Sequence, residues 1–152
     1  MRVFHGSAIE VKEPEIRIGK FTKDFGEGFY CTKLKRQAQR WAMRKETPTI
    51  SIYEYTPDKT LSICDFKSMT DEWLDFIVDC RNGVPHNYDI VIGAMENDQI
   101  FNYIEDFIAG VITREQFWVL AKFKYPTHQI CFATEASLKC LKFVESEKLS
   151  KK

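Results

Sequence analysis

The residues near the start of the chain could bind a ligand through a side chain and the backbone together. A predicted strand over residues 1–4 ends at His5, Gly6 and Ser7. The imidazole of His5 can donate or accept a hydrogen bond, and Gly6 leaves its N–H and C=O open to a partner. The alternative is a histidine that is satisfied by a neighbouring carbonyl. The residue types alone leave both interpretations open.

A glycine-containing turn within residues 24–32 is the second candidate site. Gly26 and Gly28 are separated by one residue, and the lack of side chains lets backbone amides approach a ligand closely. Tyr30 follows directly, and Trp41 lies on the apolar face of a predicted helix over 33–45. The two rings could form flat walls around a planar ligand. The alternative is an ordinary tight turn followed by two core aromatics.

Hydrophobic periodicity and turn residues predict a mixed order of strands and helices. We expect strands over 49–55, 61–66, 88–93, 128–133 and 142–147, with the first two paired as a hairpin. We expect helices over 70–81, 97–110, 113–121 and 134–140, capped in the last three cases by Asn97, Thr113 and Thr134. Residues 8–22 and 125–127 are predicted loops. Hairpins without regular βαβ alternation indicate an α+β fold.

Length, charge and cysteine content limit the classes of protein. The 152 residues suit one domain over 1–147, followed by a frayed lysine-rich tail over 148–152. Basic and acidic residues both number 22, so no global charge favours a nucleic acid or an anionic membrane, although a local basic patch remains possible. No apolar run is long enough to span a bilayer.

The five cysteines contain no closely spaced pair, and the N-terminus lacks a secretory pattern. We therefore expect a reduced, cytoplasmic protein without a metal site. Four of the cysteines lie in apolar runs and are expected to be buried. These are Cys64, Cys80, Cys131 and Cys140.

The candidate segments together resemble the three-part signature of a known superfamily. His5-Gly6-Ser7, the segment 25–30 with Ala38 and Trp41 downstream, and the segment 129–132 that begins with Gln129 occur in the matching order. They resemble the signature of ADP-ribosyltransferases of the His-Tyr-Glu branch, which includes the poly(ADP-ribose) polymerase-like and diphtheria-toxin-like enzymes. Over nearly its whole length, including 88–93 and 129–141, the chain is also similar to a bacterial family of small uncharacterised domains. That family is grouped with this superfamily, and some members are encoded beside proposed antitoxins.

The resemblance implies a split β-sheet core with surrounding helices, and a cleft that binds NAD as a substrate. It implies that His5 hydrogen-bonds the adenine-side ribose and that the Gly6 backbone clamps the nicotinamide carboxamide. It also implies that Tyr30 and Trp41, eleven residues apart, sandwich the nicotinamide ring. The implied catalytic residues are His5, Tyr30 and Gln129. The implied NAD-binding residues are His5, Gly6, Ser7, Gly26, Gly28, Tyr30, Ala38 and Trp41.

The sequence departs from the superfamily pattern at two positions. Gln129 stands where the polymerase branch has a glutamate, so its amide can hold a ribose hydroxyl but cannot act as a general base. Ala38 stands where a serine hydroxyl often helps to hold the carboxamide. Glu135 and Glu27 are alternative catalytic carboxylates. Because Gln129 cannot act as a general base, elongation into poly(ADP-ribose) is not expected.

Three functions agree with these residues. The first is a mono-ADP-ribosyltransferase that modifies a cytosolic protein or nucleic acid, as the toxin of a bacterial toxin–antitoxin pair with an antitoxin partner. The second is an NAD glycohydrolase that needs no acceptor. The third is a non-catalytic module that binds NAD or a partner, which the identities of Gln129 and Ala38 favour. The sequence identifies neither the acceptor nor the antitoxin.

Overall fold

The fold consists of two β-sheets with helices on their outer faces. The computed structural model describes residues 1–16, 24–94, 98–121 and 127–150. Within these ranges the chain forms seven strands and five helices, which confirms the α+β class. The strands are β1 (Arg2–Ser7), β2 (Phe29–Cys31), β3 (Thr49–Tyr55), β4 (Ile63–Asp65), β5 (Ile90–Gly93), β6 (Gln129–Phe132) and β7 (Leu141–Lys148). The helices are α1 (Lys35–Met43), α2 (Asp71–Arg81), α3 (Asp98–Ile108), α4 (Arg114–Leu120) and α5 (Glu135–Leu138).

The two sheets meet at the edges formed by β1 and β2. The first sheet has the order β1-β3-β7 and the second has the order β2-β6-β5-β4, in which only β4 and β5 are parallel. Phe4 N–H donates to Thr32 O at 2.8 Å, and Thr32 N–H donates to Phe4 O at 2.9 Å. Among the described residues these two strands form no further bridge, and they belong to different sheets. The gap between them is called the split below.

Alternation along the strands builds two main clusters of buried side chains. Ile130 and Phe132 point to one face of β6 and Cys131 points to the other. The inter-sheet cluster comprises Val3, Phe29, Cys31, Tyr53, Tyr55, Ile90, Ile130, Phe132, Leu138 and Cys140. The helix-side cluster comprises Phe25, Trp73, Leu74, Ile77, Val91, Ile100, Ile104, Phe117, Ala121 and Cys131. Both β-sheets therefore bury one face in the inter-sheet cluster.

Polar side chains cap three of the described helices, and two of these caps, Thr113 and Thr134, were predicted. Thr70 caps α2 by accepting from Trp73 N–H at 3.3 Å. Thr113 and Gln116 form the predicted capping box of α4, and Thr134 caps α5. These contacts satisfy backbone N–H groups that have no partner inside a helix. The predicted cap Asn97 lies outside the described residues.

The predicted hairpin between residues 49–55 and 61–66 is wrong. β3 pairs with β1 on one side and β7 on the other, so it has no free edge for a third partner. β4 instead pairs in parallel with β5 in the second sheet. Six of the seven residues of β3 are buried, as expected of a central strand. The turn near Pro57 therefore moves the chain from one sheet to the other.

Several predicted boundaries also shift. β1 continues through His5, Gly6 and Ser7, which were expected to follow the strand. β7 includes Lys148, where the frayed tail was expected to begin, and Leu149 N–H donates to Pro48 O at 2.8 Å. Residues 17–22 and 125–126 of the predicted loops, and 151–152 of the predicted tail, lie outside the described residues.

None of the five cysteines, all of which the structure describes, forms a disulfide bond, and Cys64 is only partly buried, contrary to expectation. In the described parts of the chain, no helix has the length and apolar character needed to cross a membrane.

Candidate functional site

Gly6 and Tyr30 face each other across the split. The antiparallel bridge between Phe4 and Thr32, continued by two residues, places Gly6 opposite Tyr30. Alternate residues of a strand direct their N–H and C=O groups to the same side. Because the Phe4 groups bond to Thr32, the Gly6 groups point into the split and away from β3. The backbone edge that the sequence implicated is therefore directed at the candidate site.

Helix α1 covers Gly6 at very short range. A Cβ added to Gly6 would lie 2.3 Å from Ala38 O and 3.1 Å from Trp41 Cβ, so no larger residue fits without moving the helix. Ala38 is fully buried and packs on the first sheet with Ala42, Ile50 and Ile52. The structure thus brings together three predicted site residues: Gly6, Ala38 and Trp41.

The hydroxyl of Tyr30 is held by the glycine-containing turn that precedes it. It donates to Gly26 O and accepts from Phe25 N–H at 3.1 Å. Burial raises the pKa of the Tyr30 hydroxyl well above its ordinary value, and the nearby Cys131 thiol adds to this rise. The hydroxyl therefore stays protonated and keeps its role as a donor to Gly26.

His5 reaches the candidate site through the backbone of Tyr30. Its Nδ1 lies 2.6 Å from Tyr30 O, and because a carbonyl only accepts, Nδ1 carries the proton and donates. Its ring stacks on Phe29 with 4.2 Å between centroids, on the inter-sheet side of β1. This agrees with the alternative of a histidine that bonds a neighbouring carbonyl. Alternation places the His5 and Gly6 positions on opposite faces of β1, and a contact of His5 with a ribose stays a prediction.

Gly26, Gly28 and Ser7 have structural roles within the chain. Gly26 adopts a φ of 83°, which favours glycine. A Cβ on Gly28 would lie 2.5 Å from Cys131 Sγ, so this glycine permits close packing on β6. The hydroxyl of Ser7 donates to Ile9 O at 2.6 Å. Direct contact of these three residues with a ligand stays a prediction.

Gln129 is a buried side chain with an unsatisfied donor. It is 4% exposed, and its Nε2 has no hydrogen-bond partner among the residues that the structure describes. Tyr30 pairs with Cys131, so Gln129 lies two residues further along β6, on the same face and diagonal to Tyr30. An unpaired buried N–H group is unfavourable by about 1–3 kcal/mol. A ligand that offers an acceptor would remove this penalty.

The two alternative carboxylates do not share this burial. Glu135 is exposed at the first residue of α5, and Glu27 is exposed in the glycine-containing turn. Neither lies on the face of β6 that carries Gln129. Gln129 therefore remains the polar side chain that the sheet itself presents beside Tyr30.

Gln37 and His128 form a polar clamp between α1 and β6 that was not predicted from the sequence. The Gln37 carboxamide accepts from His128 N–H at 3.0 Å, and Lys33 N–H donates to His128 Nδ1 at 3.2 Å. Burial, with the positive charge of Lys33 nearby, lowers the pKa of His128 to about 4. Gln37 is 3% exposed. The signal was its position: residues 34, 37, 38, 41 and 42 form one helical stripe, in which Gln37 is the polar member.

Comparison with protein families relates the chain to a family that has no assigned function. Residues 1–143 match the family described as Protein of unknown function (DUF3990). No curated protein and no solved structure matches the chain.

Proposed function

We propose a function for this chain, which belongs to the DUF3990 family. It is an NAD-dependent mono-ADP-ribosyltransferase that modifies a cytosolic protein or nucleic acid. The observation that carries the proposal is the split. There the Gly6 backbone points toward Tyr30, α1 places Trp41 against Gly6, and Gln129 lies diagonal to Tyr30 with an unpaired donor. A planar ring that bears a carboxamide, joined to a ribose, needs groups of these kinds.

Each of these residues has a distinct role in the proposed reaction. The N–H and C=O of Gly6 bind the carboxamide of nicotinamide, and the rings of Tyr30 and Trp41 flank its faces. The unpaired atom of Gln129 is the nitrogen, so we expect it to donate to an oxygen of the ribose rather than to accept from a hydroxyl. His5 orients the Tyr30 peptide through the bond to its carbonyl.

The proposed chemistry breaks the bond between the ribose anomeric carbon and the nicotinamide nitrogen. The bonding electron pair leaves with nicotinamide, and positive charge develops on the ribose. A lone pair of the acceptor then forms the new bond to the anomeric carbon, and the acceptor releases a proton to water. Gln129 is neutral and supplies no general base, so the acceptor must be nucleophilic itself. This supports transfer of a single ADP-ribose and not chain elongation.

We also propose that the protein acts as the toxin of a bacterial toxin–antitoxin pair. This rests on the resemblance to a bacterial family, some members of which are encoded beside proposed antitoxins. An antitoxin that covers the split would block entry of NAD.

Nicotinamide release from NAD by the purified protein tests the proposal. We expect release that increases when cell lysate supplies an acceptor, and its loss in Tyr30→Ala and His5→Ala. Glu135→Ala is the matched control, because Glu135 is exposed on α5 and should not matter. Full activity in both Tyr30→Ala and His5→Ala would contradict the residue assignment.

The same assay separates two other functions. Equal release with and without lysate indicates an NAD glycohydrolase. The other alternative is a module that binds NAD without reacting with it. It is favoured by the lack of a charge on Gln129 and of a hydroxyl on Ala38. It predicts NAD binding by calorimetry without release from the wild type, and turnover restored by Gln129→Glu.

A further inference from the structure

The glycine-containing turn that holds Tyr30 is itself held by a residue from a distant connection. His86 lies between α2 and β5, and its Nε2 is 2.9 Å from Phe25 O. Tyr88 N–H donates to its Nδ1 at 3.1 Å. Because Nδ1 accepts, the ring proton is on Nε2, which donates to the Phe25 carbonyl. Both nitrogens of His86 are therefore used, and the tautomer is fixed.

The hydrogen bonds from His86 continue to the Tyr30 side chain. Phe25 accepts from His86 through its carbonyl and donates to the Tyr30 hydroxyl through its N–H. The Tyr30 hydroxyl in turn donates to Gly26 O. His86 thus holds the peptide between Phe25 and Gly26. The Tyr30 hydroxyl bonds the peptide before it, through Phe25 N–H, and the peptide after it, through Gly26 O. A rotation of the peptide held by His86 would misalign both partners of the Tyr30 hydroxyl.

Other contacts anchor this turn but leave the orientation of that peptide open. The Phe25 ring is fully buried against Phe66 and Phe76, and Asp24 pairs with Arg81 at 3.4 Å. These contacts fix the position of the side chains. Gly26, with a φ of 83° and no side chain, allows the adjoining peptide to rotate.

Besides His86, Cys131 contacts the turn further along the chain, where its Sγ donates to Glu27 O at 3.8 Å. A cavity of about 560 Å³ borders the turn, lined in part by Gly26, Glu27, His86 and Thr134. A Cβ placed on Gly26 would meet His86 Nε2 at 3.3 Å. On the cavity side, His86 is therefore the side chain that restrains Gly26 most closely among the described residues.

We infer that His86 is a positioning residue for Tyr30: it sets the orientation of the Phe25–Gly26 peptide and, through it, the position of the Tyr30 ring in the split. The catalytic consequence rests on the proposed function. The link between His86 and Tyr30 does not rest on the proposed function, because hydrogen bonds through Phe25 and Gly26 join the two residues within the chain itself.

The experiment compares three variants with wild type. His86→Phe keeps the ring contact with Phe76, which has 5.3 Å between centroids, but removes both hydrogen bonds. His86→Gln restores an N–H donor of similar reach. Asn87→Ala is the matched control, because Asn87 is an exposed residue that lines the same cavity.

The first readout is the resonance of the Tyr30 ring carbon that bears the hydroxyl, recorded by NMR on protein with ¹³C-labelled tyrosine and assigned with Tyr30→Phe. It reports the hydrogen bonding of the phenol without NAD. We expect it to move in His86→Phe, to return towards its wild-type position in His86→Gln, and to stay in place in Asn87→Ala. An unchanged resonance in folded His86→Phe would overturn the inference, whatever the protein does with NAD.

The second readout is the rate of nicotinamide release. We expect His86→Phe to lower kcat/KM roughly tenfold, the size of one lost hydrogen bond, and His86→Gln to recover most of it. In a Tyr30→Phe background the same change should have less than a twofold effect, because both act through one contact. Equal losses in both backgrounds would overturn the coupling. A resonance that moves in a protein without turnover would support the link between His86 and Tyr30 and count against the proposed function alone.

Discussion

Close approach of backbone atoms explains the glycine at position 6. The helix α1 lies so near to β1 that a single added carbon would meet Ala38 O at 2.3 Å. This approach is also what places Trp41 beside the backbone edge that faces the split. One small residue therefore serves both the packing of a helix on a sheet and the proposed recognition of a carboxamide.

Gly6→Ala should lower the free energy of unfolding by about 1–3 kcal/mol, because the added methyl group meets backbone atoms of α1 that cannot rotate away. Urea unfolding measures this change. Gly110→Ala is the matched control: Gly110 has a φ of 76° but no neighbour within 4 Å, so only the backbone strain of about 1–2 kcal/mol applies. A larger loss in Gly110→Ala than in Gly6→Ala would contradict the packing argument. We also expect Gly6→Ala to abolish NAD binding.

The buried glutamines Gln129 and Gln37 should respond in opposite ways to the same substitution. Gln129→Met replaces an unpaired buried donor by an apolar chain of similar length, so we expect the free energy of unfolding to rise by about 1 kcal/mol. Gln37→Met removes the acceptor for His128 N–H, so we expect a fall of about 2 kcal/mol. Thermal unfolding of both variants without NAD measures the contrast. Destabilisation by Gln129→Met as large as that by Gln37→Met would show that the Gln129 amide is already satisfied.

At the scale of elements, local signals predicted the helices well and the strand pairing poorly. The capping residues of α4 and α5 were readable because a cap and the helix it starts are adjacent in sequence. The partner of β3 is not readable in this way. Its true neighbours begin 47 residues earlier (49 − 2) and 92 residues later (141 − 49), whereas the predicted partner follows after a short turn.

The candidate site was predictable only in part, because many of its contacts join residues that are distant in sequence. The order of His5, Tyr30 and Gln129 could be read from the sequence through the resemblance. The bond between His5 and Tyr30 O, the clamp between Gln37 and His128, and the support from His86 all join residues at least 25 positions apart. Such contacts depend on how the sheets meet, and no periodicity encodes them.

The clamp between α1 and β6 should make stability depend on pH. His128 has a pKa of about 4 in the folded protein against 6.5 when unfolded, so the unfolded chain binds more protons between these values. The stabilising contribution of the neutral, buried His128 to the folded protein is present above about pH 7 and is lost as the pH falls from 6.5 towards 4. We expect the free energy of unfolding to fall by about 1–2 kcal/mol more between pH 7 and 5 in wild type than in His128→Asn, which cannot titrate. Equal pH dependence of the two proteins in urea unfolding would contradict this assignment.

At the scale of the whole molecule, the two sheets are joined both at their edges and through their faces. The bridge between Phe4 and Thr32 links their edges, and the inter-sheet cluster joins their faces. Aromatic pairs cross this interface: Phe29 contacts Tyr53 at 5.8 Å between centroids, and Tyr55 contacts Phe132 at 5.5 Å. The split is therefore a local opening in a continuous core. A ligand that binds across it contacts residues from both sheets and should stabilise them together.

This arrangement predicts one cooperative unfolding transition that NAD shifts as a whole. Tryptophan fluorescence reports mainly on the helix side, where Trp73 is fully buried, and far-UV circular dichroism reports on all elements. We expect the two signals to give the same midpoint. A ligand at one hundred times its Kd adds about 2.7 kcal/mol, which for a chain of this length corresponds to a rise in Tm of roughly 5–11 °C. Trp41→Ala should abolish the rise while the two midpoints still coincide, because Trp41 flanks the split at Gly6 and lies outside the inter-sheet cluster. A rise seen by one signal alone would mean that the sheets unfold separately, and a full rise in Trp41→Ala would place the NAD site elsewhere.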